Sequence, residues 1–288
     1  MDNILEVNGL TKRYPAFSLD EVSFSLPEGC ITGFIGANGA GKTTTIRSLL
    51  NLAHKDAGTI KIFGLDAEKH EKEIKDRIGI VMDGSYFYND LSMKDMKNII
   101  APAYSKWSDT DYRTYMEKFD LDPKQKISTF SSGMKMKYAL VLALSHQAEL
   151  LIMDEPTSGL DPLVRSQFLE MVTDYMKCGG KGVFFSTHIT SDLDKVADML
   201  ILIDGGKIIF QQSKDDLLDK FRIVKGNTDL LNNQSIKLIK SLKVSPFGFT
   251  GITEYVSKVK KEMPKVLLER ATIEEIMLAY IGGDNIDC

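Results

Sequence analysis

The first part of the chain alternates apolar with polar residues, a pattern that predicts β-strands with one buried face. One predicted strand face collects Phe17, Leu19, Val22, Phe24 and Leu26. Residues 59–63 have the same character. We therefore expect an antiparallel β layer at the start of the chain.

Apolar runs without alternation follow, and these predict buried parallel strands. They cover residues 30–35, 78–82, 150–153, 183–186 and 199–203. The section from about 92 to 146 is largely helical in pattern. The order of elements predicts an α/β core with the antiparallel layer ahead of it and a helical insertion inside it.

The strand predicted at 30–35 leads into a glycine-rich loop. Residues 36–44 read Gly-Ala-Asn-Gly-Ala-Gly-Lys-Thr-Thr, the pattern of a phosphate-binding P-loop. A helix is predicted directly after it, so backbone N–H groups and the positive helix end point at one place. We expect a P-loop NTPase core whose nucleotide-binding residues include Gly36, Asn38, Gly39, Ala40, Gly41, Lys42, Thr43 and Thr44.

The P-loop pattern assigns roles to individual residues. Lys42 is expected to reach the β- and γ-phosphates, and the Thr43 hydroxyl to ligate Mg²⁺. Thr44 can donate to the α-phosphate. Gly39 and Gly41 allow the backbone to curl close to the anion.

The apolar run at 150–153 continues into two acids, Asp154 and Glu155. Both emerge at the carboxyl end of a predicted parallel strand, the edge where ligands bind in an open α/β sheet. An apolar strand followed by acids often simply ends in solvent. Beside a P-loop, Asp154 is expected to hold Mg²⁺ through water or through Thr43, and Glu155 to polarise the water that attacks the γ-phosphorus.

The composition is that of an ordinary globular protein: 288 residues, 43% hydrophobic, 26% charged, with a net charge of −4. The absence of net basicity argues against bulk nucleic-acid binding. Three widely spaced cysteines, Cys30, Cys178 and Cys288, favour reduced thiols in the cytosol. We expect no signal peptide and no membrane span, so a membrane role would come through a partner.

A second anion-binding segment precedes the acidic strand. It reads Phe130-Ser-Ser-Gly-Met134 and opens a predicted helix that runs to Ser145. Ser131 and Gly133 form another helix N-terminal anion site, although a serine N-cap alone would explain Ser131 or Ser132. With this segment, the chain resembles the nucleotide-binding subunits of ABC transporters over about residues 4–215, whose signature usually reads Leu-Ser-Gly-Gly-Gln.

The resemblance implies that the signature of one protomer closes over the ATP held by the P-loop of a second protomer. That second ATPase protomer would be an identical chain or a paralogue. Three further positions match the family in order: Tyr14 matches the aromatic that stacks on adenine, Asp161 lies in the D-loop at the protomer contact, and His188 matches the switch histidine. The implied catalytic residues are Glu155, His188 and Lys42.

The chain departs from the family pattern at several positions. Asp83 stands where glutamine is usual, and we expect it at the metal end of the site. An ionised carboxylate can ligate Mg²⁺ but cannot donate a hydrogen bond as an amide does. In the signature, Phe130, Ser132 and Met134 replace the usual residues. These changes affect the expected coupling and turnover more than nucleotide binding.

The resemblance also implies an ABC ATPase domain at 1–215, with a helical subdomain at about 84–146, and a small α+β accessory domain at 216–288. In that last domain the pattern predicts a strand at 221–224, a helix near 228–242, strands at 247–252 and 254–259, and a final helix at 273–281 headed by a capping box. Within the insertion, Tyr86 to Tyr88 belong either to the helical core or to a surface that touches a partner.

The function implied is that of an ATPase subunit that powers export through a separate integral membrane permease. It would lie in the cytoplasm, at the inner face of the membrane, held there by the permease. One alternative is a non-transport ABC ATPase that acts on ribosomes or DNA, but the chain has one P-loop and no sustained heptads. Another, a P-loop kinase or GTPase, does not account for Ser131, Asp161 and His188 together.

Overall fold

The structure is a computed structural model that describes residues 2–82 and 87–281. Its chain divides into two compact units, Met1–Phe210 and Gln211–Cys288. The division falls earlier than the expected boundary between 215 and 216. A cut at 215 would pass through the first turn of a helix, Lys214–Lys220, which Ser213 caps by accepting a hydrogen bond from the Asp216 N–H.

The strands that begin before the division are β1 (Asn3–Tyr14), β2 (Phe17–Pro27), β3 (Ile31–Ile35), β4 (Ala57–Ile62), β5 (Leu65–Asp66), β6 (Ile78–Met82), β7 (Leu150–Asp154), β8 (Gly182–Thr187), β9 (Met199–Asp204) and β10 (Lys207–Ser213). The helices are α1 (Lys42–Leu49), α2 (Glu71–Arg77), α3 (Met93–Ile100), α4 (Asp109–Lys118), α5 (Ser132–Ser145), α6 (Pro162–Met176) and α7 (Thr190–Val196). This is the mixed α/β architecture that the sequence predicts.

The first sheet is antiparallel, in the order β2-β1-β4-β5. On β2, buried residues occur at every second position except between Leu19 and Val22, which are three positions apart. Glu21, between them, has a positive φ of 52°, and the register with β1 shifts here. A β-bulge thus restores the apolar side chains to one face.

The second sheet has the order β10-β9-β3-β8-β7-β6, and its pairs from β9 to β6 are parallel. Strands β3, β7 and β8 are buried along their whole length, which explains their continuous apolar sequences. Because β3, β8 and β7 are neighbours, the loops after their carboxyl ends meet at one edge of the sheet. These loops carry the P-loop, the two acids and His188.

A cluster of aromatic rings packs the two sheets together. The Phe24 ring of β2 lies 5.7 Å from Phe34 of β3 and 5.5 Å from Phe184 of β8, centroid to centroid. All three side chains are buried. Burial of three phenyl rings holds β3 and β8, and therefore the loops that follow them, in a fixed relation.

Helices α3, α4 and α5 form the insertion between β6 and β7. Tyr138 of α5 is fully buried and donates a hydrogen bond to the Met93 carbonyl at 2.6 Å, which ties α5 to the start of α3. Ser92 caps α3 through a capping box with Asp95. None of the helices in the described ranges combines the length and the apolar content needed to cross a lipid bilayer.

The second unit contains α8 (Lys214–Lys220), β11 (Arg222–Gly226), β12 (Lys240–Ser245), β13 (Gly248–Thr253), α9 (Val256–Glu262), β14 (Leu267–Arg270) and α10 (Ile273–Ile281). Its antiparallel sheet has the order β12-β13-β11-β14. The final helix begins with the predicted capping box, in which Thr272 and Glu275 exchange hydrogen bonds.

Two predictions in this unit were wrong. The predicted helix at 228–242 is two short 3₁₀ turns followed by β12, because Asn232 instead folds its side chain onto the backbone N–H groups of Gln234 and Ser235. The predicted strand at 254–259 is the start of α9. Val259 is the buried residue of α9, whereas the lysines of this helix face solvent. This short helix therefore packs through one apolar side chain.

Candidate functional site

The P-loop joins β3 to α1, as the sequence predicts. Gly39 and Gly41 have φ values of 82° and 117°, a conformation that residues with a Cβ rarely adopt. The Lys42 side chain turns back over the loop, and its ammonium donates to the carbonyls of Gly36 at 2.8 Å and Ala37 at 3.2 Å. Gly36 is itself packed closely, because a Cβ there would collide with the Ile203 carbonyl.

The other P-loop positions differ in exposure. Asn38 and Thr43 are exposed, Thr44 is half-buried and Ala40 is buried. Ala40 accepts a hydrogen bond from the Gly206 N–H at 3.0 Å, which fixes the loop to the β9–β10 turn. The loop backbone is therefore attached to the β9–β10 turn, whereas the side chains of Asn38 and Thr43 remain accessible to a ligand.

Asp154 ends β7 with only 4% of its surface exposed. Its Oδ1 accepts a hydrogen bond of 2.6 Å from the hydroxyl of Ser186, which lies opposite it on β8. A carboxylate buried to this degree needs such partners or a cation. Ser186 did not emerge from the sequence as a site residue, although its place at the end of the apolar run 183–186 is a signal that was available.

Glu155 follows directly and stands between two other predicted catalytic residues. Its Oε1 lies 3.2 Å from the Lys42 ammonium, and its Oε2 lies 2.7 Å from Nδ1 of His188. An ionised carboxylate only accepts, so Nδ1 of His188 carries the proton. Glu155 is therefore in direct contact with both Lys42 and His188.

The residues present fit a nucleotide with Mg²⁺. The loop backbone is shaped by glycines at positive φ, and a buried ammonium sits beside it. Thr43 and Asp154 are the chain neighbours of Lys42 and Glu155, the two residues that the ion pair joins. A hydroxyl and a carboxylate are hard oxygen ligands of the kind that Mg²⁺ prefers.

The signature and the D-loop make local contacts. Ser131 caps α5 by accepting from the Met134 N–H, and Asp161 caps α6 by accepting from the N–H groups of Leu163 and Val164. Within the described residues, neither Ser131 nor Asp161 forms a hydrogen bond or ion pair with Lys42. Gly133 instead lies beside α6, where an added Cβ would approach Val164 at 3.4 Å.

A buried acid links the D-loop to the segment after His188. Thr157 donates a 2.6 Å hydrogen bond to Oδ2 of Asp192, and both side chains are fully buried. The other oxygen of Asp192 is 4.0 Å from Nε of Arg165. Sequence reasoning missed Thr157 and Asp192, since a threonine and an acid far apart in the chain carry no pattern of their own.

Tyr14 lies apart from this cluster. Tyr14 ends β1 with 45% of its surface exposed, and the Lys12 ammonium lies 5.5 Å from its ring centroid. An exposed ring at the strand end can stack on a base. Asp83 falls outside the described residues, as does Tyr86.

A cleft of about 600 Å³ lies between β6 and the helical insertion. Apolar side chains from β6 and α5 line it, including Ile80, Met82 and Leu142, with Lys135 also on its wall. His146 lies at its inner side, fully buried and stacked on Tyr104 with ring centroids 3.8 Å apart. Burial lowers the pKa of His146 to about 4. The ring is therefore neutral at physiological pH.

Phe87 and Tyr88, for which the sequence leaves open a place in the helical core or on a partner surface, differ in the structure. Phe87 packs 5.2 Å from the Tyr138 ring and lines the cleft, whereas 64% of Tyr88 is exposed. Phe87 thus serves the core as well as the cleft wall. Tyr88 is the side chain available on the surface.

Comparison with known proteins places these features in context. A family profile described as "ABC transporter" matches residues 19–158. The "Bacitracin transport ATP-binding protein BcrA" of Bacillus licheniformis is 30% identical over 305 aligned positions, which cover 99% of this chain and 100% of that protein. The "Daunorubicin resistance ATP-binding protein DrrA3" of Streptomyces coeruleorubidus is 26% identical, with 99% and 98% covered.

A solved structure, described as "Structure of ATP binding subunit of ABC transporter", aligns with a TM-score of 0.69 and 28% identity. The alignment covers 75% of this chain and 92% of that one. The similarity to BcrA and DrrA3 extends across the second unit as well, because those two alignments span almost the whole chain.

Proposed function

This chain belongs to the ATP-binding proteins of ABC transporters and is an ATPase, and we propose that it uses Mg²⁺-ATP to drive export through a separate membrane permease. The observation that carries the proposal is the contact of Glu155 with both Lys42 and His188 at the carboxyl edge of the parallel sheet. The Lys42 ammonium can bind phosphate, the Glu155 carboxylate can accept a proton from water, and the His188 imidazole can orient that carboxylate. Glu155 lies within hydrogen-bonding distance of the other two groups. These are the parts that phosphoryl transfer to water requires.

Each residue has a defined task in this proposal. Lys42 binds the β- and γ-phosphates, and the P-loop N–H groups hold their oxygens. Glu155 accepts a proton from the attacking water, and His188 keeps the Glu155 carboxylate turned toward the γ-phosphate. Thr43 and Asp154 would hold Mg²⁺, which offsets the charge that develops on the phosphate oxygens. Tyr14 stacks on the adenine.

A dimer completes the site in this proposal. Ser131 and Gly133 head an exposed helix N-terminus, and Asp161 heads α6 next to it. Helix N-termini attract phosphate oxygens. Among the described residues, the side chains of Ser131 and Asp161 bond to backbone N–H groups at the start of their own helices, which supports a role against the nucleotide of a second protomer. The partner chain is either a second copy or a paralogue.

The permease is proposed to dock at the cleft between β6 and the insertion. The cleft has the volume to take several side chains of a partner segment. Its wall combines apolar side chains with polar ones such as Lys135, Ser132 and Ser158, which suits an amphipathic helix at the end of a membrane subunit. This contact would hold the ATPase at the inner face of the cell membrane.

Export, rather than uptake, is supported by the two relatives that match over their full length. One is named for bacitracin transport and the other for daunorubicin resistance. The similarity does not favour the alternative, a non-transport ABC ATPase acting on ribosomes or DNA.

The proposal is tested with Glu155→Gln and Lys42→Ala in the full chain. Glu155→Gln should bind Mg²⁺-ATP, lose hydrolysis by about 100-fold or more and form a closed dimer detectable by light scattering. Lys42→Ala should instead weaken nucleotide binding. Glu149→Gln is the matched control, because Glu149 precedes β7 as Glu155 follows it and pairs with Arg77 at 2.7 Å. Wild-type hydrolysis in a monomeric Glu155→Gln protein would contradict the proposal.

A further inference from the structure

Ser186 touches both acids of the site although it reaches neither Lys42 nor His188 through its side chain. It lies near the end of β8 and is fully buried. Its hydroxyl donates to Oδ1 of Asp154 at 2.6 Å and accepts from the Glu155 N–H at 3.1 Å. A serine hydroxyl has one proton to donate, so this proton is committed to Asp154.

The bond to Asp154 restricts how that carboxylate can turn. Asp154 is 4% exposed, and Ser186 is the side chain that the structure bonds to its Oδ1. A carboxylate fixed at one oxygen presents the other in a defined direction. Partners of this kind orient metal ligands, and their loss typically costs 10- to 100-fold in metal affinity or activity.

The contacts to Glu155 fix its backbone. Glu155 has a φ of 48°, in the left-handed region that is unfavourable for a residue with a Cβ. Its N–H donates to both the carbonyl and the hydroxyl of Ser186, each at 3.1 Å. An unfavourable backbone conformation persists only where its surroundings hold it. The conformation that carries the Glu155 side chain toward Lys42 and His188 is thus held from β8.

We propose that Ser186 is a positioning residue of the ATPase site, whose hydroxyl sets the orientation of Asp154 toward Mg²⁺ and holds the backbone of Glu155 in place. This inference rests on the Mg²⁺-dependent function proposed above. A serine that merely satisfies buried polar groups would affect folding stability alone. The two roles differ in whether the Mg²⁺ requirement moves.

The experiment compares Ser186→Ala with Ser145→Ala. Ser145 is equally buried and donates an equally short 2.6 Å hydrogen bond, but to the Val141 carbonyl within α5. Binding of a non-hydrolysable ATP analogue is measured while Mg²⁺ is varied, beside kcat, KM and thermal unfolding. Ser186→Ala should need about 10- to 100-fold more Mg²⁺ and lower kcat, with unchanged nucleotide affinity in the absence of Mg²⁺. Ser145→Ala should lose stability only.

Two further variants keep the test decisive. Ser186→Thr retains the hydroxyl and should keep the wild-type Mg²⁺ requirement. If its added methyl prevents folding, Ser186→Ala is combined with Asp154→Asn, where it should raise the Mg²⁺ requirement little further, because the ligand it orients is already altered. A folded Ser186→Ala protein with the wild-type Mg²⁺ midpoint overturns the inference. Failure of the proposed function is distinguishable, since the wild-type protein would then show no Mg²⁺-dependent nucleotide binding.

Discussion

The Lys42 ammonium lies 3.2 Å from Oε1 of Glu155, with 6% and 15% of the two side chains exposed. In the proposed function each of these groups has a separate task at the γ-phosphate, Lys42 as the cation and Glu155 as the base. In the ion pair, the charge of the ammonium and the charge of the carboxylate offset one another. A phosphate that approaches Lys42 therefore competes with Glu155.

This competition predicts that Glu155→Gln binds ADP more tightly than the wild-type chain does. Removal of one carboxylate frees Lys42 for the β-phosphate, and a part-exposed ion pair of about 1 kcal/mol corresponds to about fivefold in affinity. Isothermal titration with ADP measures the change without dimer closure, which requires the γ-phosphate. Glu149→Gln should leave the affinity unchanged, and equal affinities for Glu155→Gln and wild type would contradict the prediction.

His188→Ala should lower kcat by about 100-fold while nucleotide affinity stays close to that of the wild type. The reason is that His188 lies 2.7 Å from Glu155, and in the proposed function it orients the base rather than holding the phosphates. Steady-state hydrolysis and nucleotide titration on the same preparation separate the two effects. His70→Ala is the matched control, since His70 is 47% exposed and its partner is Glu73 at 3.8 Å. A loss of affinity as large as the loss of kcat would place His188 on the nucleotide instead.

The sequence predicts the P-loop and the acidic strand because each has a local pattern beside a strand end, whereas His188 is predicted only through the order of motifs that the chain shares with the ABC family. Because β3, β8 and β7 are parallel neighbours, their carboxyl ends lie at one edge of the sheet. This places Glu155 near Lys42 and His188. Ser186 and Asp192 have no such local pattern. The contact of Ser186 with Asp154 is fixed only when β7 and β8 take their register. The contact of Asp192 with Thr157 forms only when α7 packs beside the loop that follows β7.

The second unit shows the opposite case, in which local pattern alone misleads. Residues 228–242 contain apolar positions at helical spacing, but Asn232 and Ser235 satisfy backbone groups with their own side chains and favour turns. The apolar residues there, such as Ile239 and Leu242, are buried through packing on the sheet. Tertiary contact decides the conformation of such a segment.

Thr157→Val should destabilise the first unit by about 2 kcal/mol, because it leaves Asp192 buried without its hydroxyl partner. Asp192 is 0% exposed, and the nearest cation, Nε of Arg165, is 4.0 Å from its other oxygen. Valine keeps the shape of threonine, so the change tests the hydrogen bond and not the packing. Thermal unfolding measures the loss. Thr173→Val, which removes a helix-internal bond to the Leu169 carbonyl in α6, should cost less.

The His146 imidazole makes the stability of the first unit depend on pH below neutrality. Burial lowers the pKa of His146 to about 4, with Asp76 opposing the shift. An unfolded chain takes up this proton near pH 6.5, whereas the folded chain does so only near pH 4. Protonation thus favours the unfolded state as the pH falls through this window, and stability should drop by about 2 kcal/mol between pH 7 and pH 5 from this residue alone.

His146→Phe should remove that part of the pH dependence. Phenylalanine can keep the stack on Tyr104 but does not titrate, and neither ring nitrogen of His146 has a hydrogen-bond partner among the described residues to lose. Urea unfolding at pH 7 and pH 5 can be followed by the fluorescence of Trp107, the single tryptophan, whose neighbour Ser108 bonds to Ser145 beside His146. The exposed His54, changed to Gln, should leave the wild-type difference between the two pH values unaltered. If His146→Phe loses as much stability at pH 5 as the wild type does, His146 titrates normally in the folded protein and the acid sensitivity arises elsewhere.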